Sequence, residues 1–543
     1  MSSFREQMRG FPSWQMAVIC MIRFSEPIAF TSLFPYVYFM VRDFHITKDP
    51  SQISKYTGLI AASFAISQFS CCIHWGRLSD RIGRKPVLII GLCGSASCLL
   101  AFGFANNFYI ALIARGLAGA LNGNVAVIQT TVGEIVKERK HQALAFAMIP
   151  FFWNVGCVIG PLIGGSKYLT RPRMDKEDTV VFASSSFYES FITKHPYALS
   201  NVVVSSLLLV SATSGFLFLE ETHAEAKTKY DIGLAIGDSI RGFLGFKIPK
   251  RAWEATNSPT RNIETSPLNN ERSNTYAAGL GYEEADQSVS PSGSLSKTSV
   301  KSEKPMSLWT ALRNRDIFTH KVLGTGLAYF VIVFHTLVHA EFIPVFLAGS
   351  FQRDHLSFPW HIKGGLSWQT QDIGNLLSTT GFVGCFMVIV IYPIMDRHIR
   401  TISGFRLACL MFPIAYFVVP YIIFTTPGYN PALPSWVYKT LLYSSSMVEI
   451  IGSSLAFPQI TILVYRATKP KHRGLINSTI MSANSFARFM APVIWGSLTS
   501  FFDERGMAQI PWNILALVGA FSVYLSFKMD EYSEDVENGE EGV

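Results

Sequence analysis

The sequence predicts an all-α membrane protein with twelve transmembrane helices arranged as two six-helix bundles. Three observations lead to this fold class. Charged residues make up only 15% of the 543-residue chain, whereas soluble domains carry about 25%. The mean hydropathy is +0.27, which is hard to reconcile with a water-covered surface on a chain of this size. Apolar runs long enough to cross a hydrocarbon core of roughly 30 Å recur along the chain.

The apolar runs fall into two groups of six, which indicates an internal repeat. The first group lies near 17–41, 55–75, 87–105, 108–130, 143–165 and 197–219, and the second near 318–348, 372–394, 404–425, 436–464, 474–500 and 510–528. The predicted organisation is therefore an N-terminal segment (1–16), a first bundle (17–220), a linker (221–316), a second bundle (317–528) and an acidic tail (529–543).

The linker is rich in Ser, Thr, Asn, Glu and Lys, so it has too little apolar surface to fold alone. We expect it to be largely disordered, with two helical parts at 231–246 and 306–316. Their apolar residues favour membrane-surface helices that tether the two bundles. A regulatory site in the same stretch is the alternative.

Basic residues cluster in four connections between spans, namely 77–85, 137–140, 397–400 and 466–473. Such clusters are typical of cytoplasmic loops. Because the number of predicted spans is even, both termini and the linker are expected in the cytoplasm. The connection at 167–194 is also basic, but it carries acidic residues as well. The plasma membrane and the vacuolar membrane both fit this topology.

Several classes of protein are disfavoured by the sequence. The net charge of +8 does not indicate a nucleic-acid partner, because Lys and Arg form short clusters between apolar runs. The eight cysteines lie inside apolar runs, where they pack as small hydrophobes. No phosphate-binding loop, nucleophile elbow or zinc-protease motif occurs. We therefore expect no enzyme, no cofactor and no metal, with a proton gradient as the source of energy.

The connection between the second and third spans holds the most informative motif. Its glycines allow a tight turn between closely packed helices, and Asp80 is placed to accept hydrogen bonds from a neighbouring helix N-terminus. A plain basic turn would not explain the order of the residues. The motif resembles the cytoplasmic signature of the major facilitator superfamily, at Gly76, Leu78, Asp80, Arg81, Gly83, Arg84 and Lys85. The resemblance implies two bundles that rock around a central cavity, with this motif stabilising one state.

The fifth span has small residues at four-residue spacing, which lets helix backbones approach closely, and a proline that bends the helix. It is similar to the motif of antiporters in the same superfamily, at Gly156, Gly160, Pro161, Gly164 and Gly165. The resemblance implies that this helix closes one pathway tightly; simple helix packing is the alternative. Residues 22–27, 32–36 and 74–76 resemble a fungal branch of the twelve-span drug:proton antiporters, related to zinc-induced facilitator-like and tetracycline-resistance-type carriers.

Ionisable residues inside apolar spans are costly in lipid and are candidate functional residues. Glu26 follows Arg23 by three positions, so the two share one helix face. Arg115 keeps its charge and needs a carboxylate or a polar cavity. We predict proton-coupling or translocation roles for Glu26, Arg115, His339 and Glu341. A self-satisfied ion pair is the alternative for Glu26, and plain cavity lining is the alternative for His339 and Glu341.

A metal site is the least favoured interpretation of the seventh span. His335 and His339 are four positions apart, a spacing that suits a metal, but no third ligand is assured.

These features together predict a secondary active transporter, a proton-coupled exporter of small organic molecules that works by alternating access. Its expected partners are a small-molecule substrate, protons and the lipid bilayer, and it is expected to act as a monomer. A facilitator or importer of a specific solute, such as an organic acid or a metal chelate, is the first alternative. A non-transporting receptor on a carrier scaffold is the second.

Overall fold

The computed structural model describes residues 9–136, 138–173, 187–223, 226–246, 248, 251, 318–469 and 473–530. The first half of the described chain forms α1 (Ser13–Thr31), α2 (Val37–Asp43), α3 (Ile53–Ile82), α4 (Arg84–Gly103), α5 (Phe108–Leu121), α6 (Asn124–Ile135), α7 (Arg139–Gly165), α8 (Phe187–Lys194), α9 (Ala198–Phe218) and α10 (Ile232–Phe243). The second half forms α11 (His320–Ala348), α12 (Thr370–Phe386), α13 (Tyr392–His398), α14 (Thr401–Val418), α15 (Ser435–Ala467), α16 (Arg473–Glu504) and α17 (Gln509–Phe527).

The all-α class is confirmed, because helix occupies each of the predicted apolar runs. Among the described residues, 8 helices are long and apolar enough to cross a membrane, and up to 9 if the bent pair Pro50–Cys72 and His74–Ile82 is one span. The full number of twelve crossings stays a prediction. The helix predicted at 231–246 is present as α10, whereas 306–316, most of the linker and most of the acidic tail lie outside the described residues.

Two of the predicted continuous runs are broken in the structure. The run at 17–41 is interrupted between α1 and α2, because Pro35 has no backbone N–H and disfavours helical backbone in the residue before it. The run at 108–130 is interrupted between α5 and α6. There the ring of Trp75 packs so closely on Gly123 that a Cβ atom would not fit, and its indole N–H donates a 2.6 Å hydrogen bond to the Ala120 carbonyl.

The helices pack as two bundles. In the first, α1 contacts α7, α3 contacts α5, and α4 contacts α9; in the second, α14 contacts α15 and α17, and α11 contacts α16. Two long helix pairs join the halves, α3 with α16 and α7 with α12. Four helices thus form the boundary along which the halves are able to move relative to each other.

The halves are in close contact at one end of this boundary, hereafter the closed end. Gly58 and Gly496 bring α3 and α16 within backbone contact there, and the Lys55 N–H donates a 3.0 Å hydrogen bond to Ser500 Oγ. The opposite end carries the turn between α3 and α4 and is hereafter the basic end. Each of α3, α7, α12 and α16 has one end at the closed end. Their other ends, which flank the predicted basic clusters (α12 through its continuation in α13), therefore lie at the basic end.

The contact between the halves decreases toward the basic end. In α12, which starts at the closed end, seven residues are buried (Thr370, Ile373, Gly374, Leu376, Ser378, Thr380 and Gly384). In the continuation of the same span, Met387–Ile391 and α13, no residue is buried. Burial along this span therefore decreases from the closed end to the basic end, which fits a conformation that is closed at one end and open toward the other.

Candidate functional site

The signature motif forms the turn between α3 and α4, where Gly83 has a φ of +106°, a region that favours glycine. The backbone N–H groups of Arg84 and Lys85 begin α4 and donate hydrogen bonds of 2.9 and 3.1 Å to the Glu221 carboxylate. The expectation that Asp80 accepts such bonds is wrong. Asp80 lies on the last turn of α3, is exposed, and pairs with Arg84 Nη1 at 2.7 Å. The acceptor comes instead from the chain just after α9.

Arg84 is the centre of this network. Its guanidinium also contacts Glu134 at 3.0 Å and donates a 2.7 Å hydrogen bond to the Ser79 carbonyl. The Lys85 ammonium pairs with Asp231, immediately before α10, at 2.6 Å. The side chain of Arg81 is exposed, and an added Cβ at Gly76 would meet nothing within 4 Å.

The three acidic partners Glu134, Glu221 and Asp231 were not among the predicted site residues. The available signal was their position, because each follows an apolar run that ends on the same side as the basic motif.

The helix α10 is fastened to α9 and to the chain that follows it. Gly233 and Gly237 pack against the backbone of α9 with no space for a Cβ atom. Arg251 binds Asp238 through two hydrogen bonds of 2.5 and 2.7 Å and pairs with Glu220 at 2.5 Å. Burial opposes the charge of Arg251, but these carboxylates outweigh it and raise the pKa of its guanidinium.

The outer face of α10 is apolar. Its exposed side chains at helical spacing are Ile232, Ile236, Ile240 and Phe243. A helix with one apolar exposed face, adjacent to a membrane-spanning helix, is typical of a membrane-surface helix.

The glycines of the fifth span pack on two different partners. Gly156, Gly160 and Gly164 face α1, where an added Cβ would collide with Pro27, Thr31 and Ser32, respectively. Small residues four positions apart thus let α7 and α1 touch along their backbones.

Gly165 instead faces the other half. A Cβ at this position would lie 2.6 Å from the Thr370 carbonyl oxygen and 2.8 Å from Gly374 Cα. A Cβ at Gly374 would in turn lie 2.6 Å from the Pro161 carbonyl oxygen. The antiporter-like motif therefore ends in backbone contact between the halves at the closed end.

Several buried charged residues lie near the boundary between the halves. Arg23 and Glu26 of α1 form the predicted pair, 2.9 Å apart, and the Arg23 guanidinium lies over the Trp153 ring at 4.3 Å. Glu26 Oε1 has no hydrogen-bond partner among the described residues.

Arg115 and Glu341 are brought near each other although they belong to different halves. The Arg115 guanidinium lies 4.3 Å from the Phe64 ring centre and 5.5 Å from that of Phe30. Its charge interacts with Glu341 of α11, and Glu341 also interacts with Arg488 of α16. Both Arg115 and Glu341 are buried. The low polarity of such a site strengthens attraction between opposite charges.

His339 does not join Glu341, because residues two positions apart on a helix face different directions. Its Nδ1 lies 3.5 Å from Glu449 Oε2 of α15. His335, one turn earlier, contacts the Tyr416 hydroxyl of α14 through Nδ1 at 2.9 Å. Within the described ranges, no three His, Cys, Asp or Glu side chains are grouped so as to hold a metal ion.

Known proteins share this sequence pattern and fold. The family model described as Major Facilitator Superfamily matches residues 19–430 and 355–542. The chain is 35% identical over 540 residues to the major facilitator superfamily multidrug transporter mfsB of Aspergillus fumigatus, covering 97% of this chain and 85% of the relative. It is 24% identical over 526 residues to the protein ZINC INDUCED FACILITATOR-LIKE 1 of Arabidopsis thaliana, covering 96% and 92%, respectively.

Among solved structures, a variant of the nucleoside transporter NupG aligns with a TM-score of 0.58 at 9% identity, covering 95% of this chain and 99% of that one. This likeness supports the transporter fold. The resemblance predicted from the signature motif is thereby confirmed, and the chain is a multi-pass membrane transporter rather than an enzyme. It belongs to the major facilitator superfamily.

Proposed function

We propose that this protein is a proton-coupled exporter of small organic molecules that works by alternating access. The proposal depends chiefly on the buried Arg115 and Glu341, which interact across the boundary between the halves. A proton on Glu341 removes a negative charge that attracts the arginine of the other half. Proton binding therefore changes the relative free energies of the states in which the halves are apart or together.

Export is proposed from the antiporter-like motif of α7 and the similarity to a multidrug transporter, and the described conformation is compatible with it. If the basic end is cytoplasmic, the described conformation is open to the cytoplasm and closed to the other side. A substrate would then enter from the cytoplasm, as export requires. The protein is proposed to act as a monomer in the plasma or vacuolar membrane, with both termini cytoplasmic and without a cofactor.

The proposed substrates are apolar or amphipathic. Aromatic rings accompany the buried arginines, with Trp153 beside Arg23 and Phe30 and Phe64 beside Arg115. Such surroundings provide apolar contact area next to a few charges, a combination typical of small-molecule sites. The similarity to a multidrug transporter supports the same substrate class.

The experiment uses the purified protein in lipid vesicles with an imposed pH gradient. A panel of lipophilic drugs is added, and both drug movement and proton movement are recorded. We expect drug accumulation against its gradient together with proton movement in the opposite direction. Drug movement without any proton movement would indicate a facilitator, and no movement of any solute would favour a receptor.

Glu341→Gln tests the role of the carboxylate. We expect the variant to fold and to lose pH-driven transport, since its side chain has a similar shape but no longer titrates. The exposed Glu504, at the closed end of α16, provides the control Glu504→Gln. Unchanged proton coupling in Glu341→Gln would remove Glu341 from this role.

A further inference from the structure

The second bundle contains a buried polar cluster that is separate from Arg115 and Glu341. It consists of His335 and His339 of α11, Tyr416 of α14 and Glu449 of α15. His339 Nδ1 and Glu449 Oε2 are 3.5 Å apart, and His335 Nδ1 and the Tyr416 hydroxyl are 2.9 Å apart. The Nε2 atoms of both histidines are buried and have no hydrogen-bond partner among the described residues. Each such buried unpaired group costs about 1–3 kcal/mol, so the cluster is not explained by stability.

The charges around the three buried carboxylates differ. Glu26 is paired directly with Arg23. Glu341 interacts with Arg115 and Arg488. Glu449 has only His339 within ion-pair distance, and no Arg or Lys among the described residues acts on it.

An arginine charge thus acts on each of the first two carboxylates. At Glu449 the compensating charge within the described part of the chain is the one that His339 carries when it holds a proton.

Burial therefore favours the state in which Glu449 and His339 share one proton. With one proton, on either side chain, Glu449 and His339 together are neutral or form an ion pair. Without it, a single negative charge is buried in an apolar bundle, which is very costly. The pair is thus neutral overall in its buried position only when it holds that proton.

Among the described residues, the neighbouring helices place no other charged side chain against the pair. The side chains that face the pair are Tyr416 and Cys409 of α14 and Trp512 of α17, besides His335 on α11 itself. From α12, Asp372 faces Tyr443 instead.

A route to the pair is visible at the closed end. The Trp512 ring is 6.1 Å from the His339 ring, centre to centre, in an edge-to-face contact. Trp512 also lines a cavity of about 80 Å³ between the halves, together with Phe342, Phe346 and Trp495. A cavity of this volume holds several water molecules, since one needs only about 10–15 Å³ by this measure. Trp512 thus separates the pair from a cavity that widens when the closed end opens.

We infer that Glu449 and His339 form a second proton-binding site of the transport cycle, besides Glu341, and that this site is loaded through the cavity beside Trp512. This inference rests on the proposed proton-coupled function. It places one proton inside the second bundle, in addition to the proton that Glu341 binds near the boundary between the halves. The proton of the second bundle moves from water at the closed end onto the pair, and it leaves to water when the basic end is open.

The test uses infrared difference spectra of the purified full-length protein in lipid, recorded between acidic and alkaline pH. They need no substrate. We expect a pH-dependent carboxylic acid C=O band from Glu449. It should be absent in Glu449→Gln and shifted in its pH midpoint in His339→Gln. It should be retained in Glu341→Gln.

His335→Gln is the matched control, because His335 is equally buried and one turn away but has no carboxylate partner. In His335→Gln the Glu449 carboxylic acid band should keep the same pH midpoint as in the unchanged protein.

A second measurement separates the inference from the proposed function. In vesicles, Glu449→Gln and His339→Gln should lose proton movement with the drug but keep exchange of labelled drug for unlabelled drug, which also shows that they are folded. If the unchanged protein moves drugs without protons, the proposed function fails. If it moves protons and Glu449→Gln does so equally well, or keeps the band, only the present inference is overturned.

Discussion

Adding one methyl group at Gly165 should open the closed end. In Gly165→Ala the new Cβ would lie 2.6 Å from the Thr370 carbonyl oxygen and 2.8 Å from Gly374 Cα, both backbone atoms of the other half. Backbone cannot rotate away as a side chain does, so α7 and α12 must separate. Overpacking of this kind costs about 1–3 kcal/mol. At about 1.4 kcal/mol per factor of ten, the closed population should fall about 5-fold to about 150-fold relative to the open one.

The assay is the rate of thiol labelling at the closed end. A single cysteine at Thr499, which lines the cavity between the halves there, is introduced after the eight native cysteines have been replaced. Its reaction with a polar maleimide should become faster in Gly165→Ala. Gly324→Ala is the control, because an added Cβ there meets nothing within 4 Å. Equal labelling rates in the two variants would refute the reasoning.

Two further predictions concern the basic end. Glu221→Ala should lower the free energy of unfolding by about 1 kcal/mol, typical of a lost helix cap, because the first N–H groups of α4 lose their acceptor; a thermal unfolding midpoint equal to that of the unchanged protein would contradict this. A cysteine at Ile236, on the exposed apolar face of α10, should react with a lipid-soluble maleimide and resist a water-soluble one, whereas a cysteine at the exposed Lys227 should react with both. Rapid reaction of the Ile236 cysteine with the water-soluble reagent would show that this face is not in the membrane.

Much of the fold was predictable because the hydropathy of a segment depends only on the residues of that segment. The runs of apolar residues gave the positions of the helices, and the spacing of Arg23 and Glu26 gave their pairing, since both are local properties of one helix. The break at Gly123 was not predictable, because it depends on Trp75 from another helix. The same holds for the cap of α4, which comes from Glu221, 137 positions after Arg84.

The candidate site shows the same division. Individual ionisable residues inside the spans were identified from their cost in lipid, but their partners come from distant segments. Arg115 and Glu341 belong to different halves, and His339 meets Glu449 rather than its near neighbour Glu341. Which residues form such pairs depends on how the helices pack together. The spacing of residues within a single span contains no information about that packing.

The hydrogen bond from Trp75 to Ala120 has a mechanical consequence. Trp75 immediately precedes the signature motif, and Ala120 lies on α5 little more than one turn beyond Arg115. The indole of Trp75 therefore links α3 to α5. A tilt of the end of α3 is expected to move α5, and with it the guanidinium of Arg115. A ligand or modification at the basic end would then change the position of the Arg115 charge relative to Glu341, without contacting either residue directly.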